Sequence, residues 1–432
     1  MNIKGGISLT GLFAYLFYLI SSVMGVGQYV CLFVVLFCCS YLLLKKWRFD
    51  YVDVVLVALS AFFILYADFR WALAGASFLS LKAMTIGTTG GMLYGMLLGV
   101  FFVYLLNNVC ISRLLSVNSL IYSVNFFLII NFLAMLLLVL SIGNQVREDI
   151  LLVENPEGDY QRSGNYLAIY IVSVFYAVKN LQVKKSGMVS NALLISVSFL
   201  VVYTCQMLGS NSGAAIGLFV IVLVVAFAPL STGLGGALVY RSKRNINLVV
   251  TPYFLFVVVI GVGSLAMTLF FGEFFVSEVM GYDPARLRMF AYGEGIGETF
   301  TSRVDLFSDN FILHFNFSPL WGHPFVDELT TGGGTYIHSL LAIWTHLGLL
   351  GMVLFILLFF WALRSLLTLD RVKLNPSHVA WVVSNVMYVR LLTFVGVVLF
   401  ALATAFFTWL PLWFVIGMVA IRPYFFKTNR YG

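Results

Sequence analysis

The chain consists mainly of long apolar runs that are separated by short polar connections. A helix of about 20 apolar residues crosses a hydrocarbon core of about 30 Å, and runs of this kind recur from end to end. We therefore expect an all-α integral membrane protein, with residues 1–432 forming one polytopic transmembrane domain of about 12 helices. The first run is interpreted as a retained helix and not as a cleaved signal peptide. The predicted spans are 7–24, 27–44, 51–67, 83–106, 119–141, 164–179, 188–208, 213–229, 248–271, 336–363, 381–400 and 404–421.

Two features near the third and fourth predicted helices depart from a plain apolar run. Residues 68–90 contain charged residues around a stretch that is too short to cross alone, so we expect a re-entrant or interfacial segment there. Gly91, Gly95 and Gly99 repeat every four residues, which would let a neighbouring helix backbone approach closely. The glycine repeat predicts a packing surface.

Composition and charge agree with a membrane protein and predict its orientation. The chain is 61% hydrophobic and 10% charged, whereas about 25% charge is usual for a soluble domain. The net charge of +7 comes from Lys and Arg in short connections, where they set topology, so nucleic-acid binding is not expected. The positive-inside rule predicts that both termini are cytoplasmic.

The longest polar segment, residues 272–335, is predicted to be a large loop on the non-cytoplasmic side between the ninth and tenth helices. It carries nine acidic residues and three arginines, which is more polar chemistry than a simple connection needs. We expect short helices here, lying over the helical bundle. The acidic pair Asp327-Glu328 is interpreted as solvated loop charge, because no convincing set of metal ligands accompanies it.

Motifs for metals, cofactors and nucleotides are weak. No GxxxxGK[ST] motif is present, so ATP-driven transport is not expected. The run Thr331–Thr335 has three glycines but no lysine, which favours a hinge over a phosphate cradle. The five cysteines lie within or at the ends of apolar segments, without metal-ligand spacing. We predict neither a metal nor a cofactor.

Four residues from separate parts of the chain fall at the same outer level of the predicted topology: Arg162, Asn211, Arg303 and His338. Arginines on the outer side run against the positive-inside trend, and a guanidinium offers forked donors to a phosphate. An ion pair with a nearby acid is the alternative for each arginine. A histidine at the membrane boundary can accept a proton near neutral pH, although a lone helical histidine is more often an interior hydrogen-bonded residue.

The other outer histidines have plainer interpretations. His323 precedes Pro324 in a turn, which suits loop shaping. His314 also lies in the outer loop. His346 lies two turns beyond His338 on the predicted tenth helix, where it faces either the bundle or the lower wall of a cavity.

Several short segments occur in a fixed order over residues 160–365, and this order resembles bacterial O-antigen polymerases and O-antigen ligases. Asn211 stands where members often carry an arginine, and Ser339 stands where they often carry an asparagine. The family in turn resembles the C-type membrane glycosyltransferases. The segments are Gln161–Gly164, Gly209–Gly213, Ser302–Arg303, Ser318–His323, Tyr336–Leu341 and Gly348–Gly351.

The resemblance implies a metal-independent, inverting glycosyltransferase that uses a donor linked to undecaprenyl pyrophosphate on the outer face. Arg162, Arg303 and Asn211 would bind the pyrophosphate or substrate, and His338 and Arg303 would be catalytic. The expected activity is O-antigen polymerisation onto an incoming lipid-linked repeat unit. The first alternative is an O-antigen ligase that uses the lipopolysaccharide core as acceptor, and the second is a flippase or polysaccharide transporter. The expected partners are the lipid-linked oligosaccharide, membrane lipid and a chain-length regulator protein.

Overall fold

A computed structural model describes residues 53–75, 89–113, 117–142, 159–181, 188–208, 210–227, 308–330, 339–367, 379–404 and 407–421. These ranges are mostly helical and contain no β-strand, which confirms the expected helical class for this part of the chain. In chain order the described helices are α1 (Val54–Leu73), α2 (Gly90–Arg113), α3 (Val117–Ile142), α4 (Asp159–Leu181), α5 (Met188–Met207), α6 (Asn211–Phe227), α7 (308–317), α8 (Val326–Thr330), α9 (Ala342–Leu367), α10 (Val379–Thr404) and α11 (Leu410–Ala420).

Three helices of the described ranges are long and apolar enough to cross a membrane: Val54–Leu73, Val189–Met207 and Ala342–Leu366. The helices α2, α3, α4, α6, α10 and α11 coincide with six further predicted spans. The predicted spans 7–24, 27–44 and 248–271 lie outside the described residues. Membrane-spanning helices are thus supported, whereas the number twelve stays a prediction.

Two predicted helix boundaries were wrong. The segment predicted from 68 onwards as re-entrant begins as a continuation of α1, which runs to Leu73, so Asp68 and Arg70 are helical residues. The tenth helix was predicted to begin at 336, but the residues just before Ala342 form a turn that packs on α10. There Ser339 Oγ donates to the Leu402 carbonyl of α10 (2.7 Å).

The chain divides into two compact units, and the first contains α3, α4, α5 and α6. Helix α5 packs against the three others. Buried polar side chains connect the helices: the Tyr170 hydroxyl donates to Asn131 Oδ1 (2.5 Å), and Asn131 Nδ2 donates to the Phe127 carbonyl (2.7 Å). The start of α5 is held by Ser190, which donates to Asn125 Oδ1 of α3 (2.6 Å). These contacts satisfy polar groups that would be costly to bury unpaired.

The second unit contains α1, α7, α8, α9, α11 and most of α2 and α10. Helices α1 and α9 are antiparallel, since Trp361 near the end of α9 donates to Asp53 at the start of α1 (2.9 Å). Near the opposite end of α1, the Tyr66 hydroxyl donates to the Leu347 carbonyl at the start of α9 (2.9 Å). Asp53 also caps α1 by accepting from Leu56 N (3.2 Å), which satisfies a free helix donor.

Glycines let α2 and α11 approach at backbone distance. A Cβ on Gly95 would lie 2.9 Å from the Leu410 carbonyl oxygen, and a Cβ on Gly99 would collide with the Phe414 carbonyl. Gly417 of α11 likewise faces the Met96 backbone. The predicted packing role is confirmed for Gly95 and Gly99. For Gly91 it is not, because nothing lies within 4 Å of its Cβ position.

A buried arginine binds backbone carbonyls at the end of α11. Arg390 on α10 is 2% exposed, and its Nη2 lies within hydrogen-bond distance of the carbonyls of Met418 (2.9 Å), Val419 (3.0 Å) and Ile421 (2.8 Å). The last carbonyls of a helix lack helical partners and carry partial negative charge, so a cation is favourable there. Arg390 therefore has a structural role in this unit.

Candidate functional site

Two of the four predicted site residues, Arg303 and His338, lie outside the described residues. The backbones of the other two are described. Arg162 lies in the first turn of α4, and Asn211 is the first residue of α6. Both belong to the first unit.

The segments around Arg162 and Asn211 are in direct contact. Gly164, two residues after Arg162, packs on Ser210, and a Cβ at Gly164 would collide with the Ser210 side chain. In turn a Cβ on Gly213 would lie 2.7 Å from the Gly164 carbonyl oxygen. The start of α4 and the residues Ser210–Gly213, which were predicted to share one level, are thus brought together by close packing between glycine and small residues.

Local structure explains why α6 begins beside α4. Ser210 Oγ accepts from Gly213 N (3.3 Å) and so caps α6, as serine commonly does at a helix start. The Ser210 amide donates to the Cys205 carbonyl at the end of α5 (2.7 Å), which makes a tight turn between the two helices. Because Ser210 is fixed by both bonds, Asn211 must lie at this end of α4.

In the second unit, the segment Ser318–His323 docks on a break in α9. Gly348 interrupts the helix with φ 73° and ψ −173°, values that only glycine adopts without strain. The break leaves backbone groups free to bond to the docked segment. Leu349 N donates to the Leu320 carbonyl (2.9 Å), and His323 N donates to the Thr345 carbonyl (2.9 Å).

The docked backbone approaches the break so closely that both sides require glycine. A Cβ on Gly322 (φ 65°) would collide with Gly348 N, and a Cβ on Gly348 would collide with the Trp321 backbone. Gly322 and Gly348 belong to two of the segments that carry the family resemblance. These two segments, Ser318–His323 and Gly348–Gly351, therefore form one structural feature.

Helix α1 supports the same feature with two polar side chains. Arg70 Nη2 donates to the Gly322 carbonyl (2.9 Å), and Tyr66 donates to the Leu347 carbonyl next to the break. A buried carbonyl without a hydrogen-bond donor costs free energy, and Arg70 and Tyr66 supply these donors. Arg70 was not among the predicted site residues, although it is an outer arginine in the predicted topology, as Arg162 is.

A carboxylate lies between two buried histidines directly beside the break. Asp327 Oδ1 is 3.1 Å from His314 Nδ1, and Asp327 Oδ2 is 3.2 Å from His346 Nε2. The side chain of His314 is fully buried, that of His346 is 6% exposed and that of Asp327 is 14% exposed. The earlier interpretation of Asp327 as solvated loop charge was therefore wrong, whereas the neighbouring Glu328 is indeed exposed.

The ring of His346 lies between two polar groups. Its Nδ1 is 3.0 Å from the Pro324 carbonyl oxygen and its Nε2 faces Asp327, so both ring nitrogens point at acceptors. The side chain is buried within the second unit, and it connects α9 to α8 through Asp327.

The surroundings of His314 shift its pKa. Desolvation lowers the pKa of His314 below its ordinary value; the Asp327 carboxylate raises it in part, and His346 lowers it further.

His323 shapes its turn as predicted, since its Nδ1 accepts a hydrogen bond from Phe325 N (3.2 Å). Burial, Arg70 and His346 lower the pKa of His323.

The cluster joins α7 and α8 to the start of α9. Sequence reasoning missed the cluster, because Asp327, His314 and His346 come from three elements and no local spacing connects them. The only available signals were the predicted outer position of the residues and the fact that their side chains are ionisable. Within the residues that the structure describes, no group of three or more His, Cys, Asp or Glu is arranged to hold a metal ion.

Comparison of the chain with family models, curated proteins and solved structures gave no match. The fold and the site are therefore interpreted from their own chemistry. The described residues form a helical protein in which three helices could cross a membrane, and this is consistent with a membrane protein.

Proposed function

We propose that the chain is a surface-polysaccharide polymerase of the O-antigen type. It would transfer the growing glycan from undecaprenyl pyrophosphate to the sugar of an incoming lipid-linked repeat unit. The observation that carries the proposal is pairwise contact between segments of the resemblance. Gly164 of the first segment packs on Ser210 and Gly213 of the second in one unit, and Ser318–His323 packs on Gly348–Gly351 in the other.

In the proposed reaction an acceptor hydroxyl attacks the anomeric carbon of the donor. A new C–O bond forms with inversion, the bond from that carbon to the pyrophosphate oxygen breaks, and undecaprenyl pyrophosphate leaves. His338 takes the hydroxyl proton, a role that typically contributes about 10²- to 10⁴-fold. Arg162 and Arg303, with Asn211, bind the pyrophosphate and stabilise the negative charge that develops on it.

The proposal includes a topology in the bacterial inner membrane. About 12 helices would cross it, both termini would be cytoplasmic, and residues 272–335 would form the periplasmic loop at the reaction face. Helix directions support this arrangement. Residues near the predicted periplasmic ends of α1 and α9 are in contact (Tyr66 with Leu347), and residues near their predicted cytoplasmic ends are in contact (Asp53 with Trp361).

The direct test is purified protein in liposomes with a lipid-linked repeat unit and no added metal. We expect a ladder of products, which Arg303→Ala or His338→Ala abolishes. Arg364→Ala and His378→Ala are matched controls in predicted cytoplasmic regions, and they should retain the ladder. A ladder that persists in the Arg303 and His338 variants, or that requires a divalent ion, would contradict the mechanism.

Gene deletion separates the proposal from the ligase alternative. Loss of a polymerase leaves lipopolysaccharide capped by a single repeat unit. Loss of a ligase abolishes capping while lipid-linked polymer accumulates.

A transporter is the alternative from another class. It would carry ionisable groups near the midplane of the membrane, where they mark a substrate path. The buried Arg390 bonds to helix-end carbonyls, which does not favour a transport path through it. A transporter would also move the lipid-linked unit across liposomes without forming a longer product, which the same preparation can detect.

A further inference from the structure

The outer segment 308–330 exposes large apolar side chains on its surface. Ile312 is 63% exposed, Leu320 61% and Trp321 65%, and Leu313, Phe317 and Leu329 are also exposed. A soluble monomer rarely exposes a contiguous group of this kind without a binding role. The exposed residues therefore require an explanation.

Helix α7 has an inverted pattern for a helix in water. Its fully buried residue is the titratable His314, whereas Ile312, Leu313 and Phe317 point outwards. The spacing of these three residues places them on one face of the helix. The inward side is satisfied, because His314 contacts Asp327 and Phe315 packs edge-on against Trp344, with ring centroids 5.1 Å apart. The outward face also carries the exposed polar residues Ser308, Asp309 and Asn316, so it combines large apolar side chains with polar ones.

The exposed apolar surface continues onto a helix that is suited to cross a membrane. On α1, Phe62, Leu65, Phe69 and Leu73 are exposed at helical spacing and form one apolar stripe. Arg70 joins the stripe to the outer segment by donating to the Gly322 carbonyl, immediately beside Trp321. A guanidinium and a tryptophan at the end of a spanning helix are typical of the membrane–water interface.

The surface is also continuous with α9. Leu349 N donates to the Leu320 carbonyl, so the two exposed leucines lie next to each other. Leu350 and Val353 extend the exposed apolar surface along α9. Two helices that could cross a membrane therefore border the outer segment on its apolar side.

We infer that the segment 308–330 lies in the outer membrane–water interface. The side chains of Ile312, Leu313, Phe317, Leu320 and Trp321 enter the acyl boundary of the outer leaflet. The partner of this surface is lipid, because its apolar side chains are continuous with the exposed apolar stripes of α1 and α9, the two helices that could cross a membrane. In-plane amphipathic helices bury their apolar face about 5–10 Å into this boundary. The inference rests on the membrane location and holds whether or not the protein transfers sugars.

Site-specific photocrosslinking of the full-length protein in its native membrane tests this inference. The benzophenone amino acid p-benzoylphenylalanine replaces Leu313, Phe317 or Trp321 in three variants. In a control variant it replaces Glu328, which is exposed but polar and lies in the same outer segment. After irradiation, the purified protein is analysed by mass spectrometry for phospholipid adducts. Variants are compared only if they elute as the wild-type protein does on size exclusion.

We expect lipid adducts at all three apolar positions, with a yield at least tenfold above that at Glu328. Equal, low yields at all four positions would overturn the inference, because they would mean that the surface is in water. Crosslinks to a second copy or to another protein in place of lipid would also overturn it. Activity is not measured, so failure here is distinguishable from failure of the proposed glycosyl transfer.

Discussion

At the residue scale, the main feature is a set of titratable groups buried in an otherwise apolar protein. Asp327 pairs with His314 and His346 beside the break in α9. Buried ionisable groups are costly unless paired, and in a membrane protein they commonly mark a functional place. Here Asp327 of α8 contacts His314 of α7 and His346 of α9, so the three elements are joined at this point.

The burial of His314 predicts how stability depends on pH. Since burial lowers the pKa of His314, the folded state favours its neutral form more than the unfolded state does. This contribution is fully present above the unfolded pKa of about 6.5, and it is lost as pH falls from there through the lower folded value. Thermal unfolding in detergent should show a larger fall in Tm between pH 8 and pH 5.5 for wild type than for His314→Asn. Equal falls in the two proteins would contradict the prediction.

The histidines also show how far sequence reasoning reached at this scale. The turn-shaping role of His323 was predictable, because its partner is only two positions away and the following proline marks the turn. The role of Asp327 was not, because His346 lies on another helix. A polar residue in a loop is usually solvated, and only the packing of α7 and α8 on α9 removes Asp327 from water.

At the element scale, glycines determine how the helices and the outer segment fit together. In α2 the four-residue repeat correctly predicted close packing for Gly95 and Gly99, since small residues on one helix face allow backbone contact. The prediction of close packing is wrong for Gly91, because a repeat shows which residues share a helix face but not where the partner helix ends.

Alanine substitution tests the packing of α2 on α11. Gly99→Ala should destabilise the protein by about 1–3 kcal/mol, because the new Cβ meets backbone atoms of Phe414 that cannot rotate away. The matched control is Gly91→Ala, whose Cβ meets nothing within 4 Å. Thermal unfolding monitored by intrinsic fluorescence should show a lower Tm for Gly99→Ala only. Similar Tm values for the two variants would argue against backbone contact.

The break in α9 makes a second prediction at this scale. Gly348→Ala should release Ser318–His323 from α9, because the new Cβ would occupy the position of the Trp321 backbone. Gly75→Ala is the control: Gly75 also has a positive φ (74°), but nothing lies within 4 Å of its Cβ position. Limited chymotrypsin digestion should cut after Trp321 faster in Gly348→Ala than in wild type or Gly75→Ala. Unchanged cleavage would mean that the docking does not depend on this close approach.

At the scale of the whole molecule, the helix directions agree with the alternation expected of successive membrane crossings. In the second unit α1 is antiparallel to both α9 and α11, as shown by the contacts of Asp53 with Trp361 and Ala420. In the first unit the starts of α3 and α5 meet, through Ser190 and Asn125. Both sets of contacts follow the order predicted from apolar runs and basic connections.

The proposed topology predicts which sites are accessible from outside the cell. A cysteine at the exposed position Glu328 should react with a membrane-impermeant maleimide in intact spheroplasts. A cysteine at Arg364, exposed near the opposite end of α9, should react only after the membrane is opened. The wild-type protein, with its five cysteines in or at the ends of apolar segments, serves as the background control. The reverse pattern would show that the predicted orientation is wrong.

The sequence by itself determined the helical class and the approximate positions of the described helices that coincide with predicted spans. Apolar length and periodicity are local properties, and they are sufficient where the main solvent of a helix is lipid. Only the tertiary structure decided that Asp327 lies between His314 and His346, and that Arg70 supports Gly322 from 252 positions away. Such contacts form only where particular helix ends meet in space, and the packing between distant segments determines which ends meet.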